Sequence, residues 1–214
     1  MKRVFLSSML LILTAACSTA QVQDAPPPSG TRQLNASRVL QYTDIRQVDF
    51  CNFTLRADSA CTAEEHPVQI RGGEHRPAAN DASDFYLVVE DVIYGDLTGD
   101  GHDEAVVRLE CHASSVIETG VIYTLRDGQL FALGSLDPGH QAEAGIVDVR
   151  IENGLLIEER LWSAHPPTPE RIYTFARQWN GREWIEVGRT RWRRYTDREQ
   201  SAPKGNPCRL PRSN

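Results

Sequence analysis

Three dipeptides constrain what this chain can fold into. Asp127-Gly128 stands between the apolar runs 121–125 and 130–133, Asn153-Gly154 between 146–151 and 155–159, and Asn180-Gly181 between 172–179 and 184–187. Each pairs a residue tolerant of positive φ with a glycine, which is the chemistry of a tight hairpin turn. The flanking runs are short and rich in β-branched and aromatic residues, and no long stretch repeats at a helical period. Three successive hairpins predict an all-β fold, an antiparallel meander or sandwich-like twisted sheet. The strongest run is 85–94. There Phe85, Leu87, Val89 and Ile93 alternate with Tyr86, Val88, Val92 and Tyr94, so both faces are apolar and a central strand is expected. A short helix over 34–44 is the one helical expectation, from the capping residues ahead of Val39 and Leu40.

The amino terminus carries a different signal. Met1-Lys2-Arg3 is followed by an apolar run from Val4 to Leu13 and then by Thr14-Ala15-Ala16-Cys17. A positive start, an apolar stretch too short to span a bilayer and small residues at its end make an export signal. The segment Leu13-Thr14-Ala15-Ala16-Cys17 resembles the lipobox of bacterial lipoproteins, with Thr14 where leucine is commonest. That resemblance implies cleavage before Cys17, diacylglycerol on its thiol and, from Ser18 at the next position, an outer-membrane destination. The expected organisation is signal peptide 1–16, lipidated cysteine and Pro-rich tether 17–33, β domain 34–195, and a basic, largely irregular tail 196–214.

Charge narrows the partners. The whole chain holds 23 basic residues against 29 acids. Losing Lys2 and Arg3 with the signal leaves 21 against 29, about −8, which is not the balance of a nucleic-acid binder. The distribution is uneven, with nine acids and one arginine in residues 81–110, and nine basic residues and four acids in 182–214. Besides Cys17 there are Cys51, Cys61, Cys111 and Cys208, an even number suited to two disulfides in an exported protein. Three pairings are open to four cysteines. The short loop favours Cys51 with Cys61, leaving Cys111 with Cys208.

One segment carries recognisable chemistry. In Gly95-Asp96-Leu97-Thr98-Gly99-Asp100-Gly101-His102-Asp103-Glu104, oxygen-bearing side chains stand at loop positions one, three, five and nine, with glycine at six. Such spacing suits a hard cation wrapped by a short chain. Asp96, Thr98, Asp100 and Glu104 would offer side-chain oxygens and His102 its carbonyl. The loop resembles the calcium loops of FG-GAP and integrin-propeller repeats, with Thr98 and Glu104 in place of aspartates. The resemblance implies weak calcium binding, about 10⁻⁴ to 10⁻³ M. An Asp/Gly turn closed by side-chain-to-backbone hydrogen bonds is the other reading. The motif occurs once, which excludes a propeller built by repeating it. More widely, the block Val48-Asp49-Phe50-Cys51-Asn52-Phe53-Thr54, residues 94–107, Ile151-Glu152-Asn153-Gly154-Leu155-Leu156 and Trp179-Asn180-Gly181 resemble a widespread set of uncharacterised exported bacterial proteins. That likeness implies fold and compartment but no activity.

Other features carry less. His102, His112, His140 and His165 show no zinc spacing, and no nucleophile elbow is present. Trp162, Trp179, Trp184 and Trp192, with Tyr173 and Phe175, suit sheet packing or a platform for sugar rings. Arg189, Arg191, Arg193, Arg194 and Arg198 suit a solvated, charged strand edge, or contact with anionic lipid or a partner. The functional expectation is a lipid-anchored envelope protein, non-catalytic, contacting membrane through its anchor and an envelope protein or glycan through its surface. The alternative is an envelope hydrolase that uses acids near 95–104.

Overall fold

The computed structural model describes residues 42–59, 61–62, 66–77, 85–112, 114–140, 145–164, 170–196 and 207–208. Signal, Cys17, tether and the helix expected at 34–44, up to residue 41, lie outside the described residues. Those described belong to one compact unit, Val39–Asn214. Among them the chain is nearly all β and antiparallel, and no sheet closes into a barrel or propeller.

Two larger sheets carry the fold. The first has β3 (Glu74–His75), β4 (Tyr86–Gly95), β5 (Glu104–His112), β6 (Val116–Arg126) and β7 (Gln129–His140) side by side in chain order. The second runs β8 (Ile146–Glu152), β9 (Leu155–Trp162), β10 (Arg171–Trp179), after which β11 (Trp184–Glu186) and β12 (Arg191–Arg194) share the far edge of β10. A small ladder joins β1 (Thr54–Leu55) to β2 (Val68–Gln69). The meander expected from the hairpins is therefore present, divided over two sheets.

The turns follow their residues. Asp127 and Gly128 have φ +52° and +73°, and Asn153 and Gly154 +53° and +75°, so both are primed two-residue turns between adjacent strands. Asn180-Gly181 differs. Its loop runs from Asn180 to Glu183, with only Gly181 at positive φ, because the Asn180 side chain accepts from the Arg182 and Glu183 amides and widens the turn.

Strand β4 is apolar on both faces, but its alternation is not the strict one expected. A bulge between Val89 and Asp91 inserts Glu90, so Leu87 and Val89 share a face with Val92 and Tyr94, and Ile93 takes the other. The middle of the sheet belongs to β5, with β3 flanking β4 only at Leu87 and Val88.

Each face of the first sheet is covered. Ala105, Val107, Leu109, Val121 and Tyr123 pack beneath Phe50, Phe53, Leu55 and Ile70 from the N-terminal segment. The Phe53 ring meets Tyr123 edge-on with centroids 6.1 Å apart. On the opposite face Val106, Ile122 and Leu136, with Leu97, pack against Ile146, Val149 and Leu156 of the second sheet. Gly95 lets that approach happen: a Cβ there would stand 2.7 Å from Ile151 Cγ2 of β8. Polar ties follow the apolar ones, with the Trp184 indole donating to the Leu133 carbonyl at 3.2 Å and the Ile146 amide donating to the buried Glu118.

Two disulfides form, with a different pairing from the one expected. Cys51 joins Cys208, Cα atoms 5.4 Å apart, and Cys61 joins Cys111 at 6.2 Å. Strand β1, with Leu55 buried between the two cysteines, carries the chain away from Cys51. Cys111 lies on the core-facing register of β5 after Val107 and Leu109, where Cys61 meets it. Relative to the short Cys51–Cys61 loop, closing Cys61–Cys111 over 50 residues costs about 1.4 kcal/mol more and closing Cys51–Cys208 over 157 residues about 2.4 kcal/mol more, and packing overrides both. Cys208, beyond Tyr195, is tied through this bond to Cys51 in the N-terminal segment.

Candidate functional site

The loop after β4 is closed by its own carboxylates. Asp96 Oδ1 accepts the Gly99 amide at 2.6 Å and Oδ2 the Gly101 amide at 3.0 Å. Asp100 Oδ1 accepts the His102 amide at 2.8 Å. Positive φ at Gly99 and Gly101, +78° and +85°, gives the loop the curvature these bonds need. Asp103 points away to Arg46, 2.7 Å distant, and the Arg46 guanidinium in turn lies 4.7 Å from the centre of the Tyr94 ring. Burial pushes the Tyr94 phenol up, against the neighbouring Arg46 charge, which lowers it.

Glu104 is the floor of this loop. It is fully buried. Its Oε2 accepts the Leu97 and Thr98 amides at 2.8 and 3.0 Å, and its Oε1 the Thr124 hydroxyl at 2.9 Å. Burial raises its pKa above the ordinary carboxylate value, and the same hydrogen bonds partly oppose that rise.

The five residues expected around a cation are thus in one loop, with different surroundings. Asp96 is half-buried, Asp100 and His102 are exposed, and Thr98 donates through its amide to Glu104. Asp96, Asp100 and Glu104 alike accept hydrogen bonds from the loop's own amides, and Glu104 alone of the three is fully buried. Among the described residues, no group of three or more His, Cys, Asp or Glu side chains stands together as a metal centre. Cys17 and His165 lie outside the described residues, and His112 is turned to Glu110 at 2.6 Å.

A second location was only partly legible. Trp179 and Trp184 face each other at 5.3 Å in the β10–β11 hairpin and are structural. The other aromatics share one face of β9, β10 and β12. Register places Trp162 opposite Arg171 and Arg171 opposite Arg194, with Arg160, Tyr173 and Trp192 forming the next row. Arg171 stands 4.5 Å from the Trp192 ring centre and 5.4 Å from that of Trp162. A shallow concavity of about 400 Å³ opens there, lined by Glu170, Arg171, Trp192, Arg194 and Tyr195. Sequence reasoning noticed Trp162, Tyr173 and Trp192 but passed over Arg171, whose signal is its alternation with Tyr173 and Phe175. Inward along the same face, Glu158 is buried between Arg160 and Arg177, and Arg160 reaches the Asp137 carbonyl of β7 at 2.6 Å.

Compared with protein-family models, curated proteins and solved structures, the chain has no match. The site is therefore read from its own geometry.

Glu104 makes a prediction about pH. Its folded pKa lies above its unfolded one, so the folded state binds the proton more tightly. Its contribution is most favourable below the unfolded value and declines as pH rises through the folded value. Glu104→Gln removes the charge and keeps an acceptor and a polar group, so its stability should vary less with pH than wild type across the acid-to-neutral range. Glu104→Ala should lose about 2–4 kcal/mol by leaving buried donors unpaired. Urea melts at a series of pH values check both, and a Gln variant with the wild-type pH dependence would exclude Glu104 as its source.

Proposed function

We propose that this chain is a lipid-tethered protein of the bacterial cell envelope whose β domain acts by contact and not by catalysis. The observation that carries the reading is the joining of Cys51 to Cys208 and Cys61 to Cys111, since paired disulfides in a small β domain suit an oxidising, exported setting. The lipobox-like end at Cys17 supplies the tether. Among the described residues, no helix is long and apolar enough to cross a membrane, so the anchor in this reading is the lipid.

The carboxylates argue against the hydrolase alternative. A catalytic acid must reach the atom it protonates. Glu104, the acid of the 95–104 loop with a raised pKa, is enclosed by the Leu97 and Thr98 amides and the Thr124 hydroxyl. Asp96 and Asp100 are held on backbone amides, an arrangement that serves loop shape. Calcium is a second reading for this loop, favoured by Asp96 and Asp100 at positions one and five around Gly101.

Two experiments separate these readings. Cys17→Ser should leave the precursor uncut and abolish its partition into detergent, and partition equal to wild type would remove the lipid anchor from the proposal. Thermal melts in chelator, calcium and magnesium examine the loop. A site of about 0.1 mM would add about 1.4 kcal/mol in millimolar calcium, a shift of a few degrees, with less from magnesium. Identical melting temperatures in calcium and chelator would leave a turn alone, while Asp96→Ala that keeps its fold but loses a measured turnover would favour the hydrolase.

A further inference from the structure

We infer that the outer end of the second sheet binds a carboxylate-bearing sugar of an envelope glycan. The inference rests on the proposed role as a contact domain and assigns that contact a place and a ligand class. It starts from the change in character along one face of β9 and β10. At the inner end Leu156 belongs to the apolar core. Next comes the buried Glu158 between Arg160 and Arg177, both of which also reach Asp137 of β7. Beyond it Tyr173 and Phe175 lie with ring planes 24° apart, and Trp162 meets Tyr173 edge-on at 72°. The series ends in exposed rings beside cations: Trp192, opposite Tyr173, is 58% exposed and Trp162, opposite Arg171, 38%, so each ring keeps surface open to a ligand besides the side on which Arg171 lies.

Two chemistries converge there. A sugar ring presents a patch of C–H groups that packs on an indole face, and large rigid aromatics offer such contact with little loss of side-chain entropy. Arg171, stacked between Trp162 and Trp192, is held in position by its neighbours, and Arg194 stands opposite it across the β10–β12 ladder. A guanidinium donates to a carboxylate through paired, charge-assisted hydrogen bonds. Glu170 and Tyr195 complete the rim.

Shape and charge choose among anionic occupants. The concavity of about 400 Å³ is shallow and gives room for one or two sugar rings laid against Trp192, whereas a lipid surface is met by a convex or flat patch. The chain as a whole is acidic, at −6, which disfavours adhesion to an anionic membrane and leaves this locus as a local exception. A bare anion would not use the exposed tryptophans. A sugar that carries a carboxylate uses both.

The test is tryptophan fluorescence of the full lipidated protein in neutral detergent, titrated with tetragalacturonate, its neutral methyl ester, inorganic phosphate and phosphatidylglycerol vesicles. Saturable quenching by tetragalacturonate is expected, with weaker response to the ester and none specific to phosphate. Trp192→Ala should weaken binding about tenfold or more, and Arg194→Gln should remove the preference for the acid over the ester. Both positions are exposed, so the fold should persist, and unchanged circular dichroism checks it. Failure of tetragalacturonate to saturate, equal binding of phosphate or vesicles, or wild-type affinity in both variants would overturn the inference and leave the contact role standing. Shortening of the bound tetragalacturonate on incubation would keep the ligand class and overturn the non-catalytic reading instead.

Discussion

The first sheet is apolar on both faces, and the rest of the structure answers that constraint. Val106 and Val107 are neighbours in β5, both fully buried, and a strand sends them to opposite sides. One side needs a cover from the N-terminal segment and the other a second sheet. Neither cover could fold first without leaving the opposite face exposed to water. Burial of this area is the dominant favourable term in folding, and here it is divided between two cores that share one wall. The disulfide from Cys61 to Cys111 fixes the first cover to that wall. That from Cys51 to Cys208 brings the end of the chain to the same segment.

A wall with two apolar faces leaves little room for charge, and the buried acids are consequently all engaged. Glu104 holds the start of the loop at Leu97 and Thr98, Glu118 receives the Ile146 amide at the beginning of the second sheet, and Glu158 lies between two arginines. Each stands where two elements meet. A buried charge without partners would cost several kcal/mol, so these residues fix how their elements join. Function, in the proposed reading, is left to what the cores do not use: the loop surface at Asp96 and Asp100 and the outer aromatic end of β9, β10 and β12.

Much of the fold was legible because hairpin chemistry is local. Asp127-Gly128 and Asn153-Gly154 need only their own φ values to bring the flanking strands together, and the sequence carries both. The bulge at Glu90 was not legible, since nothing in 85–94 distinguishes one extra residue from continued alternation until β5 is laid beside it. The disulfides failed for a related reason. Loop length favours Cys51 with Cys61 by only a few kcal/mol, whereas in the structure Cys111 lies buried on the face of Val107 and Leu109, where Cys61 packs. Within the loop, the residue types were plain, but whether a carboxylate looks outward or onto a backbone amide depends on packing, as the burial of Glu104 shows. The Arg171 site needed registers across three strands, which no single segment contains.

The account turns on β5 and β6 being the shared wall of both cores. Native-state hydrogen exchange, read amide by amide under mildly destabilising conditions, tests this most directly. The amides of Val106, Val107 and Ile122 should exchange slowest and only with global unfolding, and the strands from β8 to β10 should lose protection no later than they do. A state in which β8, β9 and β10 remain protected while β5 and β6 exchange would contradict the shared wall and make the second sheet a folding unit of its own.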